Sequence, residues 1–559
     1  MEKLFTILSK KYGNVNQAAL LLGFFAFLSQ ILALFRDRAM AHFIGPSQTL
    51  DAYYAAFRIP DLIFICIASL ASVTVLVPFI VAKMNGEKVT PEAQKYLNDI
   101  FTSFLLLMVF VSVIAYIFMP YLAHMIAPGF VEPFHSKLVG LSRILLLSPI
   151  LLGLSNLFGT VTQLFQKFFI YALSPIFYNV GILIGVIFLY PHLDIYGLAF
   201  GVVLGAFMHF GVQAISSIKC GFTPGISTSI NWKDIKNVAT TSLPRTLGLA
   251  FNNVSVIVII SLASFLKEGS ISVFNFSFNL QSVPLNIIGI SYAVAAFPTL
   301  AKAVTMGKMD EFKAHLKEAA RAIVFWSLPV IFLFIVVRAQ IVRVILGSGS
   351  FSWEDTRLVA ACLAIFSLSI VAQGMITLLS RAYYATGDTK RPLIMNLSCA
   401  GLIIALSFIF THIFENSMHF RYFIESMLKV EDIAGTEVLM LPLAYSVGTI
   451  VNAILQWYFV KKDFMKKESF ITKTFFQSLG ASFFLGLVAY IFLNILSPIF
   501  GTTTLVGVFL QGFISGILGI VAAICVLYLL GNEELKEISN TLHTKFWKVK
   551  VLPPAQEEL

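Results

Sequence analysis

The chain has 559 residues, of which 58% are hydrophobic and only 12% charged. Its mean hydropathy is +0.86. A soluble domain carries roughly 25% charged residues, so this composition excludes an ordinary soluble domain and makes hydrocarbon the main solvent. The formal charge of +10 does not indicate nucleic acid, because the basic residues are dispersed among short loops rather than gathered on one face. The cysteines Cys66, Cys220, Cys362, Cys399 and Cys525 are scattered without a C-x-x-C pair. They read as small apolar core residues, not as a disulfide or metal framework.

A membrane span needs about 20 mostly apolar residues. Such runs predict an all-α polytopic membrane protein of about fourteen helices, at 18–35, 60–83, 100–120, 139–161, 172–190, 195–218, 242–265, 271–300, 321–346, 357–380, 392–413, 438–460, 474–497 and 503–530. Lys3, Lys10 and Lys11 precede the first run, which lacks a small-residue cleavage site and so reads as a span rather than a signal peptide. Prolines inside the runs, such as Pro78, Pro149, Pro284 and Pro329, are tolerated in bundled membrane helices. Lys and Arg collect on the N-tail, the even-numbered turnarounds and the C-tail, for example Lys302, Lys308, Lys313, Lys317 and Arg321. Cytoplasmic loops carry that excess, so both termini are expected in the cytoplasm and the acidic 415–437 loop outside. The lysine runs at 461–467 and 545–550 are expected to touch anionic membrane lipids.

Two landmarks recur at nearly one spacing. Pro175 and Asn179 are matched by Pro392 and Asn396, and Pro78 by Pro298; the offsets, 392 − 175 = 217 and 298 − 78 = 220, nearly agree. The reading is a duplicated six-helix unit, with an N-lobe at 1–218, a C-lobe at 219–467, two appended helices at 468–532 and a cytoplasmic tail at 533–559. Coincidence among common residues is the competing account.

Polar side chains within hydrocarbon are costly and usually face a cavity or a partner. The first span carries Ser29, Gln30, Arg36 and Asp37, and the second Asp61, with Asp51 and Arg58 just before it. The seventh carries Arg245, Asn252 and Ser255, and the eighth Asn275, Asn279, Ser282 and Asn286 on one helical face. The most polar spans therefore open each proposed half, as helix pairs facing a shared wet cavity would require. Competing structural readings stand beside this one. The amides can serve as interhelical hydrogen bonds, Arg245 can snorkel to the interface, Arg36–Asp37 can be a helix-end ion pair, and Asp51 can cap the second helix. No metalloprotease, phosphate-loop, hydrolase-elbow or metal-ligand pattern is present, so neither an enzyme nor a cofactor is expected, and ATP is not expected to be the direct energy source.

The strings Ser29-Gln30-Ile31-Leu32-Ala33-Leu34-Phe35-Arg36-Asp37, Asp51-Ala52-Tyr53-Tyr54-Ala55-Ala56-Phe57-Arg58-Ile59-Pro60-Asp61, Pro284-Leu285-Asn286-Ile287-Ile288-Gly289 and Arg381-Ala382-Tyr383-Tyr384-Ala385-Thr386-Gly387-Asp388 resemble the MurJ (MviN) family of lipid II flippases, within the multidrug/oligosaccharidyl-lipid/polysaccharide exporter superfamily. The resemblance runs through residues 18–460. It implies two six-helix lobes around a central cavity, two extra helices forming a groove for a polyprenyl tail, and alternating access in the bacterial inner membrane. The implied partner is a lipid-linked cell-wall precursor. Arg36, Asp37 and Asp51 carry over as part of the functional motif. The chain also departs from the pattern: Gln30, Phe64 and Asn279 stand where the family usually has arginines, and Ser69 and Ser282 where it often has acids.

On this reading Arg36 and Arg245 pair with pyrophosphate, with Arg58 as a further compensating cation, while Asn252, Asn275 and Asn279 replace water around sugar and peptide. A monomer is expected. The competing functions are a flippase for another lipid-linked oligosaccharide, a cation-coupled small-molecule exporter, for which Asp61 is the one candidate acid, and a non-transporting scaffold.

Overall fold

The computed structural model describes residues 15–68, 73–84, 89–465, 471–501 and 504–546. Within helices, the side chains of 15–20, 68, 73–75, 77–78, 241–245, 247–249, 251–252 and 540–546 lie outside that description. The described residues form helices and short connections, with no strand among them. In chain order the helices are α1 (Val15–Phe43), α2 (Gln48–Ala56), α3 (Arg58–Ala68), α4 (Val73–Ala82), α5 (Pro91–Ile126), α6 (Phe134–Leu145), α7 (Leu147–Leu164), α8 (Phe168–Ile184), α9 (Tyr190–Leu193), α10 (Ile195–Lys219), α11 (Trp232–Ala263) and α12 (Ser270–Pro284). They continue as α13 (Ser291–Thr305), α14 (Met309–Val336), α15 (Arg338–Leu346), α16 (Trp353–Ser367), α17 (Ile370–Ala385), α18 (Lys390–Asn416), α19 (Met418–Leu428), α20 (Met440–Val460), α21 (Thr472–Phe500), α22 (Leu505–Leu529) and α23 (Glu533–Phe546).

Each of the fourteen expected spans coincides with one of these helices or a consecutive pair. Among the described residues ten helical stretches are long and apolar enough to cross a membrane, and α16 with α17, taken as one broken span, makes an eleventh. The remaining three expected spans fall on α1, on α3 with α4, and on α11, each of which includes positions outside the described residues. The protein is a multi-pass, all-α membrane protein. Its outward apolar side chains, such as Phe110, Ile117, Phe188 and Phe483, are what a hydrocarbon solvent demands.

The chain folds into two compact units that do not follow simple halves. The first comprises 1–283, 342–366 and 387–455; the second comprises 284–341, 367–386 and 456–559. In the first unit α8 packs against α10 through glycine backbones. A Cβ on Gly181 would stand 2.2 Å from the Gly205 Cα, and one on Gly201 would stand 2.4 Å from the Gly185 Cα. Small residues four apart on both helices permit this approach, the usual packing device where no hydrophobic force drives helices together. In the second unit α21 lies along α22 and against α14, with Phe325, Ala481, Leu485, Ala523 and Leu527 forming a buried cluster.

The turn after α1 sets the starting point of α2. Ile44 and Gly45 both return their N–H to the Met40 carbonyl, at 3.0 and 3.1 Å, and Gly45 takes φ +67°, the left-handed conformation that ends helices most cheaply on glycine. Pro46 comes next, and Ser47 then caps α2 by accepting from the Leu50 N–H. The sequence Gly45-Pro46-Ser47 is thus a stop and a start written side by side.

The α8–α10 contact generates a stability prediction. Gly201→Leu forces apart backbones that touch and should destabilise the protein by about 1–3 kcal/mol, read as a lower melting temperature of the detergent-purified chain. A comparable change at Gly211, whose added Cβ meets nothing within 4 Å, should leave the melting temperature almost unchanged.

Candidate functional site

The polar residues of the first unit converge on one cluster. On α1, Arg36 donates from Nε and Nη2 to Asp37 Oδ1, at 3.0 and 2.8 Å. Its third nitrogen, Nη1, donates to Asn179 Oδ1 of α8 at 3.2 Å. Asn179 in turn donates to Ser29 Oγ at 3.4 Å and to the Pro175 carbonyl at 3.1 Å. Ser29 and Arg36 lie seven residues apart, two turns along one face of α1, which is why a single amide from α8 can reach both.

The other carboxylate oxygen of Asp37 accepts from Asn279 Nδ2 of α12 at 3.0 Å. The Asp37 side chain is only 4% exposed and that of Arg36 21%. A buried charge survives only when paired and hydrogen-bonded. Here the ion pair is internal to α1, and amides from α8 and α12 occupy its outer positions.

A second contact repeats the pattern. Arg58 Nη2, at the start of α3, donates to Asn275 Oδ1 of α12 at 2.7 Å, and Asn275 Nδ2 donates back to the Ile271 carbonyl at 2.7 Å. Asn275 and Asn279 stand one turn apart on α12, so one helix face meets Arg58 and Asp37 in turn. Arg58 Nε is buried and has no hydrogen-bond partner among the described residues. Asp61, one turn further along α3, is exposed.

Asp51 lies inside α2, whose N-terminus Ser47 caps, and its carboxylate does not cap the second expected span. Its Oδ2 instead accepts from the Gly269 N–H at 2.7 Å, and its Oδ1 from the Ser272 N–H at 2.7 Å and the Ser272 hydroxyl at 2.6 Å. A carboxylate on α2 therefore caps the N-terminus of α12 from outside, satisfying otherwise orphaned N–H groups at the positive end of that helix. Both oxygens of Asp51, itself 3% exposed, are occupied by this task.

The same end of the unit carries further stitches. Arg38 Nη1 donates to the Val344 carbonyl at 2.6 Å, the Ser350 N–H donates to the His42 carbonyl at 2.9 Å, and the Gly129 N–H donates to Ser264 Oγ at 3.0 Å. These residues belong to the odd-numbered turnarounds and the ends of the helices that flank them. The spacing of the partners is itself informative. Arg58–Asn275 spans 217 residues and Asp51–Gly269 spans 218, close to the 217 and 220 read from the repeat landmarks.

Of the expected site residues, Ser29, Arg36, Asp37, Arg58, Asn275 and Asn279 enter this network. Gln30 is half-buried and forms no hydrogen bond among the described residues. Asn286 falls in a π-turn, Leu285–Ile290, of the second unit and is exposed, so the polar face expected on the eighth span stops at Ser282. Arg245 and Asn252 lie on helical backbone of α11, but their side chains are outside the described residues. Asn179 is not among the expected site residues; an amide alone in the apolar 172–190 run is the signal that could have placed it here. Nothing comparable marks Gly269, which acts through its backbone N–H, or Ser272, which acts through its N–H and hydroxyl. Among the described residues no group of three His, Cys, Asp or Glu side chains is placed to hold a metal ion.

The sequence profile described as "Lipid II flippase MurJ" matches residues 40–511. The "Probable lipid II flippase MurJ" of Rickettsia prowazekii is 26% identical over 385 residues, covering 68% of this chain and 75% of that protein. The "Lipid II flippase MurJ" of Burkholderia cenocepacia is 26% identical over 392 residues, with coverage of 68% and 75%. In three dimensions the fold is similar to "Lipid II flippase MurJ, inward closed conformation", with a TM-score of 0.73, 21% identity, and 93% of this chain and 100% of that chain covered. It is also similar in fold to an inward-facing multidrug-resistance MATE transporter of the MOP superfamily, with a TM-score of 0.61 at 15% identity, covering 79% of this chain and 96% of that one. A match of the profile across most of the sequence establishes the kinship: the chain belongs to the MurJ family of lipid II flippases.

Proposed function

We propose that the chain is a flippase that carries lipid II, the undecaprenyl-pyrophosphate-linked peptidoglycan precursor, from the inner to the outer leaflet of the bacterial inner membrane by alternating access. It acts as a monomer with both termini in the cytoplasm. The observation that carries this reading is the Arg36–Asp37–Asn279 cluster with Arg58–Asn275 beside it, an ionic and amide site set on helices that are otherwise built for hydrocarbon.

The chemistry follows from cost. A pyrophosphate and a glycan cannot cross hydrocarbon without replacements for their water. A guanidinium meets phosphate oxygens through two N–H groups at once. With no substrate bound, Asp37 holds Arg36 neutralised. An arriving pyrophosphate competes with Asp37 for the guanidinium, and Arg58 offers a buried Nε that no described protein group uses. Asn275 and Asn279 then exchange their protein partners for sugar and peptide hydroxyls and amides. Because these same contacts tie α12 to α1 and α3, substrate binding and loosening of α12 are one event. Outward movement of the anion is favoured by an inside-negative potential by about 2.3 kcal/mol per charge per 100 mV, so no nucleotide need be consumed.

Cation-coupled export is the weaker reading for a specific reason. It requires a deep carboxylate, whereas Asp61, its one candidate, is exposed in the first turn of α3.

Arg36→Ala and Arg58→Ala should each abolish growth of a strain depleted of its own flippase, at normal protein level, while Arg58→Lys restores it in part. Normal growth with both alanine variants would defeat the assignment. Asn279→Ala removes one charge-assisted hydrogen bond, worth about 1.5–3 kcal/mol, between α12 and α1. It should increase labelling of a cysteine introduced at Ser282 by a water-soluble maleimide at least tenfold. Asp51→Ala deprives the start of α12 of its acceptor. Hydrogen exchange at the Gly269 and Ser272 amides, read by mass spectrometry on a peptide spanning 265–275, should speed up by tenfold or more without loss of the folded protein.

A further inference from the structure

The second unit contains a cleft far from the cluster in chain and in chemistry. It has a volume of about 570 Å³ and is walled by α13, α14 and the C-terminal helix α23. Small residues keep it open: Ala295, Ala296 and Thr299 on α13, with Ala314, Ala319 and Ala322 on α14. Its lining changes character along α14. Phe325 and Trp326, with Tyr292 of α13, form one end; His315, Lys317, Glu318 and Arg321 form the other, where Glu533, Glu534 and Glu537 of α23 join them. From residue 315 to 326 the helix rises about 16 Å, so the cleft passes from charged to aromatic over the depth of a lipid headgroup and its glycerol. Trp326 and Tyr292 are 40% and 37% exposed, as aromatic residues at a membrane–water boundary are.

The charged end holds both signs in fixed places. Arg321 lies 3.5 Å from Glu533 and 3.9 Å from Glu534. Lys473 pairs with Glu533 at 2.8 Å, and the Thr474 hydroxyl donates to Glu534 at 2.5 Å. The bond from Lys473, with Arg321 and Lys317 nearby, keeps the Glu533 carboxyl below the ordinary carboxylate range. These pairs fasten α23 over the cleft, whose same end is lined by Lys317, Glu537 and Glu318, the last 3.8 Å from His315. A headgroup bearing only negative charge would meet these carboxylates as repulsion. A headgroup bearing only positive charge would be repelled by Lys317 and Arg321. A phosphate linked to an amine satisfies both.

We propose that this cleft binds a phospholipid whose headgroup carries a phosphodiester and a primary amine. The phosphate lies toward Lys317 and Arg321, the ammonium toward Glu318 and Glu537, and the glycerol and upper acyl chains against Tyr292, Phe325 and Trp326. The site is built from other residues than the proposed flippase cluster and does not depend on that reading.

The test uses the full chain purified in detergent and offered phosphatidylethanolamine, phosphatidylcholine and phosphatidylglycerol with identical acyl chains, plus chain-free glycerophosphoethanolamine. Native mass spectrometry should show at least threefold more phosphatidylethanolamine retained than either other lipid, together with a rise in melting temperature specific to it. Both effects should fall to the phosphatidylcholine level in Lys317→Ala and in Glu537→Gln, while the lipid-free melting temperatures stay near the parent's. Equal retention of the three lipids by the parent protein overturns the proposal, and that measurement does not depend on the variants folding. Unchanged selectivity in both variants overturns it as well. An equal effect from glycerophosphoethanolamine overturns the phospholipid assignment in favour of a soluble ligand.

Discussion

A charge buried among apolar helices must be answered on every side, and the Arg36–Asp37 pair governs the first unit for that reason. The two residues neutralise each other within one turn of α1, but an ion pair alone leaves donors and acceptors unspent in a low-dielectric setting. Asn179 from α8 and Asn279 from α12 take up those positions. Two other helices are thereby held to α1 by polar groups as well as by apolar contacts such as Phe25–Phe169; in a membrane apolar packing alone gives little preference for one neighbour over another. The cost of an unanswered charge is what fixes the arrangement.

The same requirement makes the arrangement changeable. Each protein partner of Arg36, Asp37 and Arg58 is a side chain whose place an anionic or amide-rich ligand can take with little net loss of hydrogen bonds. Hydrophobic contacts, by contrast, gain nothing from such a ligand. Asp51 works by the same logic at the start of α12, where a carboxylate substitutes for a local cap. Holding a helix by its end from another segment gives a joint that can open without unwinding either helix.

The same polar contacts set the charge balance of the cluster. Asn279 donates to Asp37 but contributes no charge. The cluster is consequently balanced between Arg36 and Asp37, with Arg58 the additional cation. On the proposed function, a headgroup held here would depend more on amides than on net positive charge.

Local sequence was enough to specify the solvent, the helix positions and the residue types of the site. Hydropathy over 20-residue windows needs no knowledge of neighbours, and neither does the stop-and-start signal Gly45-Pro46-Ser47. The polar residues that open each half were likewise conspicuous, because Arg36, Asn275 and Asn279 are anomalies in apolar runs. What each of them touches depended on the assembled fold. That Asp51 caps the start of α12, 218 residues further along, could not be read locally, since its partners are mostly backbone N–H groups that carry no sequence signature. Asn286 kept the right spacing on paper, but the π-turn after Pro284 ended the face it was counted on. The cleft under α23 was invisible for a related reason: its walls come from helices distant in sequence, and small residues become a cavity only when other helices are set against them.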